Sequence, residues 1–189
     1  SILYMYALAL VKTGKIEQAI EVLRECMDKE HEASYCAPLF GSMLTGFTAV
    51  HHLLADCLAK TDQHEEALSE YEVAVEAEPT NTSIRYGYAR FLTNIGQPEK
   101  AIHSLHQSIK NDSIDCSLWS LGSQIVNAHM KDSEIALHWT KCAVEECCTH
   151  PEAQKQRGVA LLTVSRFEEA LQFFEKAPQN PVTEAAKIL

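Results

Sequence analysis

His138, Cys142, Cys147, Cys148 and His150 are the residues of this 189-residue chain whose types and closeness in sequence could hold a metal ion. His138 and Cys142 stand four apart, so on a helix they share a face and could donate to one ion. The other three lack the paired Cys-x-x-Cys spacing of structural zinc sites. The group therefore reads as core cysteines beside surface histidines, with no metal. His103 and His106, three apart on a predicted helix, read as surface residues in the same way. Glu65-Glu66 and Glu168-Glu169 resemble carboxylate pairs for acid–base work. Adjacent residues face different sides of a helix, however, and both pairs fall at predicted helix starts, where negative charge is favoured. There is no Gly-rich phosphate loop, no HExxH, no G-x-S-x-G and no EF-hand loop. The sequence thus predicts no catalytic residue, no cofactor and no enzymatic activity.

Composition narrows the partners. The net charge is −10 and the pI near 5.3, against the clustered Lys and Arg that nucleic-acid binding requires. Sparse glycine and proline, 7 and 6 residues, suit an all-helical chain. The seven cysteines are odd in number, and Cys26, Cys57 and Cys142 fall at helix positions expected to be buried. They read as reduced thiols acting as small hydrophobes, which gives a cytoplasmic expectation. No signal-peptide pattern opens the chain. It begins with Ser in the middle of a repeat and ends in EAAKIL, which resembles a helix start. The expectation is a piece of a longer protein.

The elements that must position any site come from a repeat. DQHEEALSEYEVAVEAEP, residues 62–79, reads as a turn, an amphipathic helix with Ala67, Tyr71 and Ala74 on one stripe, and a stop at Pro79. The same pattern recurs around Ala19, Ala101, Ala136 and Ala170, and the five alanines are 48, 34, 35 and 34 residues apart. A second apolar-periodic segment precedes each stripe: Leu3, Tyr6, Ala7 and Leu10 in the first unit, Leu54, Ala55 and Leu58 in the second. Each unit is predicted to be helix, tight turn, helix. Small residues let the two helices approach, and Gly14 and Gly96 sit in turns.

These residues resemble the tetratricopeptide repeat (TPR) family over nearly the whole chain. Leu54, Ala55, Leu58, Ala67, Tyr71, Ala74 and Pro79 match its motif in one unit, and Gly158, Leu161, Ala170, Phe174 and Ala177 in another. The resemblance implies an all-α, right-handed superhelical solenoid of antiparallel helix-turn-helix units, read as a single domain over 1–189. The units lie at about 1–28, 38–79, 82–112, 115–147 and 151–178, with an insertion at about 29–50 and a further or capping helix starting in 182–189. In the fourth unit Leu121-Gly122 lies two residues further from Ala136 than the motif expects, which singles out its inter-helix turn.

The resemblance also implies a concave groove, lined by the first helix of each unit, that takes a peptide or a partner's helix. Its outward positions carry over as Tyr4, Leu8, Val11 and Lys12, then His52, Asp56, Ala59 and Lys60, and so on along the chain. His52, Lys60, Tyr86, Arg90, Asn94, Trp119 and Asn127 are the expected ligand-binding residues. Tyr86 and Trp119 would anchor the ligand, the asparagines would bond its backbone, and Lys60 and Arg90 would favour an acidic one. The carboxylate clamp of one chaperone-binding subfamily is not expected. Asp56 stands where that pattern has Asn, and Ser83 and Gly87 stand where it has basic residues.

The insertion contains no Lys, Arg, Asp or Glu between Ala33 and Ala55. Polar residues and Pro38 dilute it, so a membrane span is not expected. Leu39, Met43, Phe47, Val50 and Leu54 form one stripe, which predicts a lengthened helix starting near Pro38. Three functions remain: a protein-binding scaffold, the non-catalytic arm of a larger enzyme such as a glycosyltransferase, and weak self-association through residues 33–55.

Overall fold

The computed structural model describes residues 2–36, 43–110, 115–130, 132–147 and 150–176, and the side chains of 30–36, 43–46, 110 and 176 lie outside that description. Ten α-helices and no strand occur among the described residues: α1 (Ile2–Lys12), α2 (Ile16–Cys36), α3 (Met43–Lys60), α4 (His64–Ala77), α5 (Thr82–Asn94), α6 (Pro98–Lys110), α7 (Cys116–His129), α8 (Ser133–Glu146), α9 (Pro151–Thr163) and α10 (Phe167–Lys176). The chain forms two compact units, Ser1–Phe91 and Leu92–Leu189. Three residues separate the helices of every pair, as the repeat predicts.

Four of these turns share one hydrogen-bond scheme. The amide of Lys15, Gln63, Gln97 and Arg166 donates back to the carbonyl of Leu10, Leu58, Leu92 and Leu161, respectively. This six-residue closure needs a left-handed residue just before the donor. Gly14 (φ 79°) and Gly96 (φ 77°) supply it without cost, whereas Asp62 (φ 58°) and Ser165 (φ 61°) supply it against their side-chain preference. Each donor residue then opens the next helix, because its carbonyl accepts from Ala19, Ala67, Ala101 or Ala170. The repeated alanine is thus the first fully bonded residue of each second helix.

The fourth turn is built differently. Met130 and Asp132 are both extended, and the Asp132 carboxylate accepts from the amides of Glu134 and Ile135 as a helix cap. The irregular spacing in the sequence marks this change of turn chemistry.

All five repeat alanines are buried, four of them with no exposed surface. Tyr71 and Ala74 are buried beside Ala67, as their stripe requires. Opposite the second-helix aromatics stand residues without a Cβ. A Cβ at Gly122 would overlap the Trp139 indole, and one at Gly158 would lie 2.7 Å from the Phe174 ring. On α5, a Cβ at Gly87 would lie 2.9 Å from His52 Nε2 and 3.4 Å from the Tyr71 ring.

The extra residues between the first two repeats lengthen helices. α2 runs 21 residues, to Cys36, and α3 runs 18. The predicted start of the lengthened helix near Pro38 lies outside the described residues. Val50 and Leu54 of the predicted stripe are buried and Phe47 is half-buried, its ring against His51. Among the described residues no helix is long and apolar enough to cross a membrane.

The cysteines depart from the expectation of reduced thiols. Cys116, at the start of α7, and Cys147, just past the end of α8, form a disulfide. Antiparallel pairing brings these two helix ends together, which no spacing rule announced. Cys26 and Cys57 are buried as expected, and Cys142 is half-buried rather than buried. Burial, with Asp56 adding to it and Lys60 opposing it, raises the Cys57 thiol to about 11.

Gly122→Ala is expected to destabilise the chain by about 1–3 kcal/mol in urea unfolding, since overlap with a buried ring outweighs the helix propensity gained. Reduction of the disulfide, which spans 31 residues, is expected to cost about 2–4 kcal/mol. The Cys116→Ser/Cys147→Ser variant should then unfold at the same urea concentration with and without reductant.

Candidate functional site

The first helices α1, α3 and α5 enclose a cleft of about 480 Å³ in the N-terminal unit. Tyr4 enters it from α1, and Ala49, His52, Leu53 and Asp56 from successive turns of α3. Glu78, Asn81, Ser83 and Ile84 close it at the α4–α5 link. Its volume lies within the range of small-ligand or side-chain pockets.

Three polar side chains of the cleft, Asp56, Glu78 and Asn81, are held by hydrogen bonds. Asn81 caps α5, its Oδ1 accepting from the amides of Ser83 (3.1 Å) and Ile84 (3.3 Å), as the polar Thr80-Asn81-Thr82 link suggests. Its Nδ2 donates to Glu78 Oε2 at 2.8 Å. Beneath, the buried Arg85 donates from Nε to the Pro79 carbonyl at 3.2 Å and ties down the link. Asp56 accepts from the Tyr71 hydroxyl at Oδ1, and His52 Nε2 lies 3.9 Å from its Oδ2. Burial foremost, reinforced by Asp56, pushes the Tyr71 phenol far above the usual tyrosine range. The Tyr71 ring packs within 5.2 Å of Phe91 and 5.7 Å of Tyr88, centroid to centroid.

The seven expected ligand-binding residues do not form one set. His52 lines the cleft, half-buried against Tyr71. Tyr86 and Arg90 are exposed on α5 in the same unit, and no ion pair involves Arg90 among the described residues. Lys60 is exposed at the end of α3, beside a separate 380 Å³ hollow with Lys15 and the start of α2. Asn94 is exposed at the last residue of α5.

Trp119 and Asn127 are already engaged. Trp119 is only 7% exposed, with its ring 5.2 Å from that of Trp139, whose Nε1 donates to the Trp119 carbonyl at 3.2 Å. The reason is local. Trp139 lies over Gly122, and its bulk covers the face of α7 one turn away. An outward anchoring role for Trp119 is therefore not what the packing provides. Asn127 donates from Nδ2 to the Gln156 carbonyl and to Gln156 Oε1, both at 2.9 Å, joining α7 to α9.

The sequence reading missed Ala49, Leu53, Glu78, Asn81, Ser83 and Ile84 as cleft residues. Only Asn81 carried a signal, as a helix cap. Of the candidate metal residues, Cys147 is spent in the disulfide, His138 Nε2 lies 3.8 Å from Cys142 Sγ, and Cys148 lies outside the described residues. No group of three ligand-type residues able to hold a metal occurs among the described residues.

Models of the tetratricopeptide repeat match residues 60–120 and 1–28. No curated protein matches the sequence. Among solved structures, YrrB, described as a TPR protein with an unusual peptide-binding site, is 18% identical with a TM-score of 0.67, covering 99% of this chain and 91% of its own. MamA from Desulfovibrio magneticus is 15% identical with a TM-score of 0.69, covering 93% and 91%. PilF of Pseudomonas aeruginosa is 17% identical with a TM-score of 0.65, covering 96% and 78%. At these identities the likeness shows the fold alone.

Trp119→Ala is expected to destabilise by about 3–5 kcal/mol in urea, the cost of emptying a buried aromatic site, whereas Tyr86→Ala should change stability little. Tyr71 holds its proton in the fold beyond the pH at which an unfolded tyrosine loses it. Its stabilisation is therefore complete below about pH 10 and is lost as pH rises above that. Urea midpoints measured across that range should fall less steeply in Tyr71→Phe. The matched repeat models at residues 1–28 and 60–120 and the helix pairs with their buried alanines agree on tetratricopeptide repeats, and the solved structures share that fold.

Proposed function

We propose that this chain is a non-catalytic protein-interaction module that holds a peptide or helical segment of a partner in the cleft lined by α1, α3 and α5. One observation carries the reading: a cleft in which Asp56, Glu78 and Asn81 are pre-set by hydrogen bonds to their neighbours. Little conformational freedom remains to be lost on binding there. Apolar contact comes from Ala49, Leu53 and Ile84, and directional bonding from His52, Asn81 and Ser83. Tyr86 and Arg90 on the same α5 extend the surface. An acidic side chain of the ligand would be met by Arg90, outside the cleft, and by Lys60 at the end of α3. Similarity to a protein described as having a peptide-binding site agrees with this reading.

Selection of a random displayed peptide library on the whole chain tests it. Peptides should be enriched and should lose at least about tenfold in affinity for Ala49→Arg/Ser83→Arg, which fills the cleft from two partly exposed positions. Enriched peptides that bind this variant as tightly, while its far-UV spectrum stays helical, would move the site elsewhere. No enrichment at all would remove the reading.

A further inference from the structure

We infer that the cleft takes a cationic side chain of the bound segment, an arginine or a lysine, between Asp56 and Glu78. This rests on the peptide-binding reading and names what the cleft selects. Asp56 and Glu78 line it, and among the described residues no Lys or Arg does. The Asp56 side chain keeps 41% of its surface exposed. Each carboxylate is held by a neutral donor, Tyr71 for Asp56 and Asn81 for Glu78. Neutral donors orient an anion without cancelling it. Each also keeps an oxygen that accepts no hydrogen bond from the described residues. His52 supplies the one titratable nitrogen among the described lining residues, and it stands 3.9 Å from Asp56.

The apolar lining fits the rest of such a residue. Arginine and lysine lay their methylene stems on apolar surface while the charged head reaches a polar rim. Leu53, Ala49 and Ile84 offer that surface, and Tyr4 adds an aromatic residue to the lining. Two carboxylates in the lining of one cleft suit a guanidinium, whose N–H groups fan out in a plane. An acidic side chain would instead meet two carboxylates and no counter-charge. The choice of cleft ligand is thus opposite in sign to the acidic ligand that Lys60 and Arg90 suggest, and the two demands fall on different parts of the surface.

The test uses the whole chain and small probes, so it does not need the natural partner. N-acetylarginine amide, N-acetylnorleucine amide and N-acetylglutamate amide are titrated separately while backbone amide resonances are followed by NMR. Saturable shifts of His52, Asp56 and Ser83 are expected with the arginine probe, weaker ones with norleucine, and none with glutamate. Asp56→Asn/Glu78→Gln should weaken the arginine probe about tenfold, the scale of losing charge-assisted bonds, and leave norleucine unchanged. The amide oxygen introduced by Asp56→Asn can still accept from Tyr71, so the fold should survive, which far-UV dichroism checks. Glu78→Gln alone, which leaves Asp56 and Tyr71 untouched, should show part of the same loss. The inference is overturned if the arginine probe gives no saturable shift, if glutamate binds as well, or if the variants bind arginine undiminished. Should library peptides still depend on the cleft in that event, the peptide-binding reading stands and only the cationic preference falls.

Discussion

The constraint on which the rest of the structure depends is the distance between the two helices of a pair. An aromatic side chain from the second helix must come close to the backbone of the first, and that requires a residue with little or no side chain opposite it. Gly158 under Phe174 and Gly122 under Trp139 show the requirement in its strictest form, since even a methyl group would collide. Gly87 meets the same need between successive pairs, where α5 passes close to His52 and Tyr71. Once these contacts fix the approach, a three-residue turn suffices. The left-handed residue in four of the turns is the backbone conformation that closes so short a connection.

The cleft inherits its geometry from this packing. Tyr71 is a core residue by its ring and a cleft residue by its hydroxyl. The ring lies among Tyr88, Phe91 and His52, while the hydroxyl orients Asp56. One side chain thereby couples the close approach of α4 and α5 to the position of a carboxylate on α3. The other wall is set by Asn81, which caps α5 with its carbonyl oxygen and holds Glu78 with its amide nitrogen. The residues that build the helix pairs are thus the residues that aim the polar groups, and loosening the core would blur the cleft.

How much of this was legible follows from the range of each interaction. The repeat alanines, the stripe of Ala67, Tyr71 and Ala74, the turn glycines and the Asn81 cap are local, and their spacing announces them. The left-handed Asp62 and Ser165 were not legible, because neither residue type demands that conformation. Trp119 was misread for a similar reason. It stands three residues before Gly122, as Tyr86 stands three before Ala89, so register alone made the tryptophan and tyrosine positions equivalent. What differs is the partner across the helix pair, the large Trp139, whose ring reaches Trp119 and buries it. Asn127 was placed correctly on its helix, yet its bond to Gln156 depends on a residue 29 positions away. The Cys116–Cys147 bond likewise joins positions that only antiparallel pairing brings together. Periodicity locates a side chain on a helix face, and tertiary partners decide what that face meets.

Charge acts on two scales here, and separating them explains how an acidic molecule can discriminate among ligands. The net charge of −10 is felt at long range, where it raises encounter rates with cationic partners and fades beyond a Debye length of about 8 Å in physiological salt. Within the cleft, salt screens less, and the local arrangement of Asp56, Glu78 and His52 counts for more than the total. Arg90, whose charge also reaches the Tyr71 phenol, puts a positive group on α5 outside the cleft. A segment that places a cation in the cleft and an anion toward Arg90 would satisfy both, whereas reversing its direction would set like charges against each other at both points. Direction along the surface would then be selected by repulsion as much as by attraction.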